Sequence, residues 1–285
     1  MKAIYQPKGK AGEYAKYACN FYVGCSNDCD YCYCKRGLLA HAMGGTTPTL
    51  KKCFKDEDDA IETFGRELMS NLSELQKHGL FFTFTSDPML PETRHLTEAA
   101  VEMCMEESVP VKILTKRADF DISTYWDIFA DSIAFGFTLT GCDDQEPNAS
   151  PNEDRARKIR DLHYRRFKTF ASIEPVIDLD KSLQMIKLAA YCGCDMFKIG
   201  LMSGKRNYTP YEVSVFMEHV HQAIHENNFD YGMKTKVYWK DSVIDFVKAK
   251  RENLPQDICV GANYNLFTGM DMDTDPTEET LNQTF

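Results

Sequence analysis

Four cysteines, Cys25, Cys29, Cys32 and Cys34, crowd into the stretch "YVGCSNDCDYCYCKRG", with Tyr31 and Tyr33 set between the last of them. A disulfide knot, a zinc site and an iron–sulfur cluster are the three chemistries such a loop can serve. The chain holds 11 cysteines, an odd number, so at least one thiol stays unpaired. No apolar run approaches membrane-spanning length, and "MKAIYQPKGK" lacks the apolar region of a signal peptide. The expected location is therefore the cytoplasm, away from membranes, where thiols are kept reduced and disulfides are disfavoured. Zinc takes four Cys or His ligands, and Cys34 or Cys19 could complete a set. No second separated ligand pair follows, because Cys192 and Cys194 stand almost side by side. The spacing Cys25-x3-Cys29-x2-Cys32 suits three corners of a [4Fe–4S] cube and leaves the fourth iron open to an outside ligand.

The elements that must position this loop follow from periodicity. At 285 residues and 43% hydrophobic composition, the chain can bury a full core. After an initial strand at "YACNFYVG", strand-like runs near 80–88, 109–117, 132–141, 168–177, 195–202 and 235–241 alternate with amphipathic stretches. Helices are expected over 95–108, 152–164, 180–191 and 211–227. That alternation signals parallel βαβ units of an α/β fold, and their number fits a full or partial β/α barrel better than a small doubly wound sheet, with the open sheet as the alternative. Polar residues gather at the strand ends: Thr85, Ser86 and Asp87; Thr115 and Lys116; Thr138 and Thr140; Ser172 and Glu174. Parallel α/β folds assemble their sites on that rim.

The net charge of −10 argues against a dedicated nonspecific DNA binder, though not against a local basic groove. "KDEDDAIE" and the tail "GMDMDTDPTEETLNQTF" read as solvated acidic segments, the tail as disordered. The basic run "RARKIRDLHYRRFK", with Ile159, Leu162 and Phe167 interleaved, reads as one solvated helix face and the turn after it.

The cysteine loop with an aromatic residue, Tyr31, just before its last cysteine resembles the radical S-adenosylmethionine (SAM) superfamily. The resemblance covers roughly residues 15–240 and implies a partial (β/α)6 TIM-like barrel for them. "YVGCSNDCDYCYC", "FTSDP" and "VKILTKR" are similar to the spore photoproduct lyase-like branch, often labelled DNA-repair photolyase-like. It implies that Cys25, Cys29 and Cys32 hold a [4Fe–4S] cluster. SAM would chelate the open iron and be cleaved reductively to a 5′-deoxyadenosyl radical that abstracts a substrate hydrogen. The implied SAM contacts are Tyr31 at the adenine, Ser86 and Asp87 at the methionine amino group, and Lys116 at its carboxylate. Thr138 and Thr140 would lie near the ribose or carboxylate. Glu174, a carboxylate at a strand end facing the cofactor, is a further SAM-site candidate, to accept a ribose or substrate hydrogen bond or to pair with an arginine. The resemblance also implies a flavodoxin- or ferredoxin-type reductant, a nucleic acid or nucleotide as substrate, and no obligate protein partner.

In spore photoproduct lyases a cysteine two residues before the matching serine returns a hydrogen atom to the product. Phe84 stands there in this chain. Cys34 or Cys142 could substitute; Cys192, Cys194 and Cys259 read first as packing thiols. A glycyl-radical activase and a zinc- or cluster-bearing binding module are the other readings. The expected division is an N-terminal extension over 1–14, the barrel over 15–240, a capping element over 241–269 and the acidic tail over 270–285.

Overall fold

A computed structural model describes residues 3–37, 40–204 and 206–271. Its centre is an eight-stranded sheet in the order β1-β2-β5-β6-β7-β8-β9-β10. The strands are β1 (Ile4–Tyr5), β2 (Ala18–Cys19), β5 (Leu80–Phe82), β6 (Val111–Thr115), β7 (Ile133–Thr138), β8 (Lys168–Val176), β9 (Met196–Leu201) and β10 (Lys236–Trp239). β1 pairs antiparallel with β2, and every later pair is parallel. The expected partial β/α barrel is present, with six parallel strands following β2. Two small ribbons lie outside it: β3 (Tyr22–Val23) with β4 (Thr49–Leu50), and β11 (Tyr264–Asn265) with β12 (Met270–Asp271). Residues 272–285, most of the expected tail, lie outside the described residues.

The helices are α1 (Ala40–Met43), α2 (Glu57–Ser70), α3 (Leu72–His78), α4 (Arg94–Glu106), α5 (Asn152–Tyr164), α6 (Leu179–Tyr191), α7 (Pro210–Tyr231) and α8 (Asp241–Val247). Between β6 and β7 the crossover is a 3-10 segment, Thr124–Ser132. Strand alternation divides the core in two. Phe82, Val111, Ile113, Phe135, Phe137, Phe197 and Ile199 pack outward with the helices. Phe81, Ala134, Phe170, Met196 and Tyr238 fill the inside of the barrel with Tyr14 and Leu266. Gly136 is required there: a Cβ on it would sit 2.1 Å from the Phe170 ring.

"KDEDDAIE" opens α2 and keeps Lys55, Asp56, Glu57 and Asp58 in solvent, as expected. Asp56 caps the helix by accepting from the Asp59 amide, and Glu57, Asp58 and Asp59 occupy the first turn, where carboxylates suit the helix dipole. Ala60, Phe64 and Leu68 of the same helix are buried. The strand expected over 80–88 stops at Phe82, because the Phe84 amide turns aside to Asn20 Oδ1 (2.7 Å) and Thr83 Oγ1 to the Ser86 carbonyl (2.8 Å). The initial strand "YACNFYVG" splits into β2 and β3, and the β3 ribbon carries the cysteine loop out over the barrel.

The first 14 residues do more than extend the chain. The Glu13 carbonyl accepts from Lys198 Nζ (2.7 Å), and Glu13 Oε1 accepts from Tyr238 Oη and the Asp241 amide (both 3.1 Å). Lys240 Nζ reaches the Lys10 carbonyl (3.1 Å) and Glu13 Oε2 (3.0 Å). Residues 10–14 thus tie the β9 and β10 side of the open barrel to the chain entering β2.

Candidate active site

A cavity of about 480 Å³ lies at the C-terminal ends of the parallel strands, and Cys25, Cys29, Cys32 and Cys34 all line it. The loop leaves β3 through Gly24, whose φ of +81° and close approach to the Thr47 carbonyl (2.6 Å from an added Cβ) leave room only for glycine. The amide of Cys25 donates to the Gly45 carbonyl (3.0 Å), and those of Cys32 and Lys35 close successive turns on Cys29 and Cys32. The loop docks on the segment after β7: the Asp30 amide bonds the Gln145 carbonyl, and Asn148 Nδ2 bonds the Ser26 carbonyl (both 3.0 Å). All 11 cysteines are free thiols. A hydrogen bond from the Cys34 thiol lowers Cys32, while burial pushes Cys25 up to about 12 and also raises Cys29.

The cavity residues fit a cluster and an amino-acid cofactor. Four thiols reach one cavity from one short loop, and three of them, Cys25, Cys29 and Cys32, make the donor set a cube with one open iron requires. Among the described residues, no three Cys, His, Asp or Glu side chains converge on the position of a single metal ion. Lys116 supplies a second mark of fit. Its ammonium lies 5.6 Å above the Tyr31 ring and makes no hydrogen bond or ion pair. Burial pulls it down, but the Cys29 sulfur and Glu146 outweigh this and hold it above the ordinary lysine value.

Asp87 is placed differently from the expectation. It is 5% exposed and accepts four hydrogen bonds: Oδ1 from the Met89 amide (3.0 Å) and Thr115 Oγ1 (2.6 Å), Oδ2 from Asn27 Nδ2 and the Lys116 amide (both 2.7 Å). Its oxygens are committed to the protein, and it works as the joint between the cysteine loop and the ends of β5 and β6. Ser86 lines the cavity, and its Oγ is buried without a partner, as is Asn27 Oδ1 beside it in the network.

Tyr31 bonds through its hydroxyl to Glu146, which is 2% exposed and paired with the fully buried Arg155. Arg155 therefore leaves the solvated helix face to which its basic run was assigned, while Arg157 and Arg160 keep to it. Burial raises Glu146, but Arg155 and Lys116 prevail and hold it below the usual carboxylate range. Sequence reasoning missed this pair; the only signal was a charged residue at a position of α5 that the helix period turns inward.

Thr138 lines the cavity; Thr140 does not. Thr140 is fully buried, with Oγ1 accepting the Cys142 amide (3.1 Å) in the turn before α5. Glu174 reaches the cavity, its Oε2 accepting from Lys240 Nζ (2.7 Å) and Tyr14 Oη (2.8 Å). Ser172 Oγ donates in turn to Tyr14 Oη at 2.6 Å. Gly200 makes room for the Glu174 and Lys240 pair, since a Cβ there would lie 2.9 Å from the carboxylate. Burial, then Glu174, raises the Tyr14 phenol well above its ordinary value, so it remains a donor. Tyr14 and Lys240 carried no sequence signal of a site. Phe84 lines the cavity, stacked on Phe81 at 4.5 Å. Of the spare cysteines only Cys34 lines it, its Sγ 3.9 Å from the Phe84 carbonyl; Cys142, Cys192, Cys194 and Cys259 are buried elsewhere.

No protein-family model matches the chain, and no curated protein matches it in sequence. Among solved structures it is similar to a Cys-to-Ser variant of spore photoproduct lyase, with a TM-score of 0.56 and 15% identity over 83% of this chain and 79% of that one. A Cys-to-Ala variant of spore photoproduct lyase with dinucleoside spore photoproduct gives a TM-score of 0.53 and 14% identity, with the same shares. Native anSMEcpe with bound AdoMet gives 0.49 and 13% identity, over 77% of this chain and 62% of that one. No helix among the described residues is long and apolar enough to cross a membrane. The chain has the partial β/α barrel fold seen in spore photoproduct lyase.

Proposed function

We propose that this chain is a radical SAM enzyme of the reducing cytoplasm. Cys25, Cys29 and Cys32 would hold a [4Fe–4S] cluster, SAM would occupy the adjoining cavity, and the substrate would be a nucleic acid or nucleotide. The observation that carries the reading is the meeting of three loop thiols and the unpaired Lys116 ammonium on one cavity. When bound, cluster and SAM supply one-electron cleavage of the sulfonium and a 5′-deoxyadenosyl radical able to take a hydrogen atom from the substrate.

The chain's own task is to orient, neutralise and exclude water. Lys116 offers the methionine carboxylate a point charge in a site from which water is largely excluded. Asp87 keeps the Lys116 backbone and the cysteine loop in register, so cation and thiols stay at a fixed spacing. Tyr31, held by Glu146, forms one wall, and Thr138 leaves a hydroxyl for the sugar. Phe84, backed by Phe81, and the Tyr14 ring form an apolar wall that would keep solvent from the reacting atoms. Glu174, fixed on one oxygen by Tyr14 and Lys240, would offer its other oxygen to a ribose or substrate donor.

A nucleotide substrate is supported by the dinucleoside carried by one spore photoproduct lyase structure of the same fold. Phe84 speaks against that enzyme's hydrogen-return step. A flavodoxin or ferredoxin would supply the electron. The test is anaerobic reconstitution, iron and sulfide counts, and an assay of 5′-deoxyadenosine after dithionite and SAM. Zinc in place of iron, or iron with no cleavage, would return the chain to a binding module or a partner-dependent activase.

A further inference from the structure

The charges around the cavity do not balance. Asp28, Asp87 and Glu174 line it, and each is already engaged: Asp28 by Lys35, Asp87 by its four donors, and Glu174 by Tyr14 and Lys240. Lys116 is accounted for by the cofactor reading. Three further cations remain on the lining: Lys8, Lys10 and Arg36. All three are exposed, which places them at the mouth. Among the described residues, the Lys8 and Arg36 side chains have no partner, and Lys10 Nζ meets only the Ser203 hydroxyl, at 2.8 Å.

In a chain of net charge −10, three uncompensated cations at one opening form a local positive field against the prevailing sign. Two ammonium groups and a guanidinium fork match a phosphate better than a lone carboxylate, because phosphate offers several oxygens and more charge. Tyr33, 59% exposed, lines the same cavity and adds an aromatic ring to its open side. Cations with an interleaved aromatic suit a phosphate joined to a flat ring.

We propose that Lys8, Lys10 and Arg36 form a phosphate-ester subsite for the substrate at the cavity mouth, built jointly by the N-terminal segment and the chain following the cysteine loop. The assignment rests on the enzyme reading above. It gives residues 8–10 a binding role beside the structural one of residues 10–14. The phosphate ester can belong to a free small molecule or to a nucleic-acid strand.

The test is direct titration of the metal-free protein with thymidine 5′-monophosphate and, separately, with a short single-stranded oligothymidylate. Neither cluster nor SAM is needed, so the subsite stands or falls apart from the radical chemistry. At low salt at least one probe should bind. The triple variant Lys8→Gln, Lys10→Gln, Arg36→Gln should weaken that binding roughly tenfold and flatten its salt slope by about two, at about 0.7 per phosphate contact on a single strand. Lys187→Gln, exposed on α6 away from the cavity, should bind as wild type. The triple variant should also melt as wild type, because none of its three side chains packs in the core. Binding of the monophosphate as tightly as the oligonucleotide identifies a free phosphate ester, and binding of the oligonucleotide alone identifies a strand. Failure of both probes, or full affinity in the triple variant, would overturn the subsite.

Discussion

Asn27 Nδ2 donates to Asp87 Oδ2 at 2.7 Å and joins the middle of the cysteine loop to the turn leaving β5. The same carboxylate holds the Lys116 amide at 2.7 Å, so one buried acid sets the spacing between the thiols and the cavity cation.

Asp87→Ala should therefore act on stability and on the site together. It strands the Asn27 amide, the Thr115 hydroxyl and two backbone amides in a buried place, at a cost of roughly 3–5 kcal/mol. Urea unfolding should show the loss, and reconstituted variant should take up less iron than wild type. A variant of wild-type stability would mean that water replaces the carboxylate.

Cys25→Ala, Cys29→Ala and Cys32→Ala should each lose the cluster, because a cube held by two thiolates is labile. Cys34→Ala should keep it. Iron and sulfide counts on anaerobically reconstituted protein separate the two groups. Metal loss in the Cys34 variant would point to a four-ligand zinc site.

Lys116→Met removes the unpaired ammonium while keeping the length of the side chain. SAM affinity should fall about 10–100-fold, the equivalent of roughly 1.5–3 kcal/mol for a charge-assisted bond, with iron content unchanged. Equilibrium dialysis against labelled SAM checks it, and unaltered affinity would free Lys116 from that role.

Lys112 points into the barrel 6.0 Å from the Phe267 ring, and burial alone draws it from 10.5 down to about 8. Below pH 8 the fold carries a buried ammonium that the unfolded chain hydrates freely, so the penalty is complete. It fades from about pH 8 to 10.5 and is gone once both states are neutral. Lys112→Met should thus be the more stable protein at pH 7, by roughly 3 kcal/mol at most. Its advantage should vanish by about pH 10.5 in chemical denaturation. A constant difference across that range would show that the lysine is hydrated in the fold.

The chain's own order of residues determined the thiol triplet and the rim. Three cysteines on one loop are a local pattern, and strand–helix alternation forces parallel strands whose C-terminal ends share one side of the barrel. Lys116, Thr138, Ser172 and Glu174 accordingly reach the cavity from three different strands. Tertiary structure alone decided which polar groups remain free. Asp87 looked like a ligand contact but spends its lone pairs on the protein, and Thr140 closes a turn. Tyr14 meets Glu174 across 160 residues of sequence, and Lys240 meets Lys10 across 230. No local periodicity encodes such contacts, because they exist only once the N-terminal segment spans the gap left by a barrel that does not close. Arg155 shows the same limit: its helix period marks it as inward-facing, but only the buried Glu146 opposite makes an inward charge tolerable.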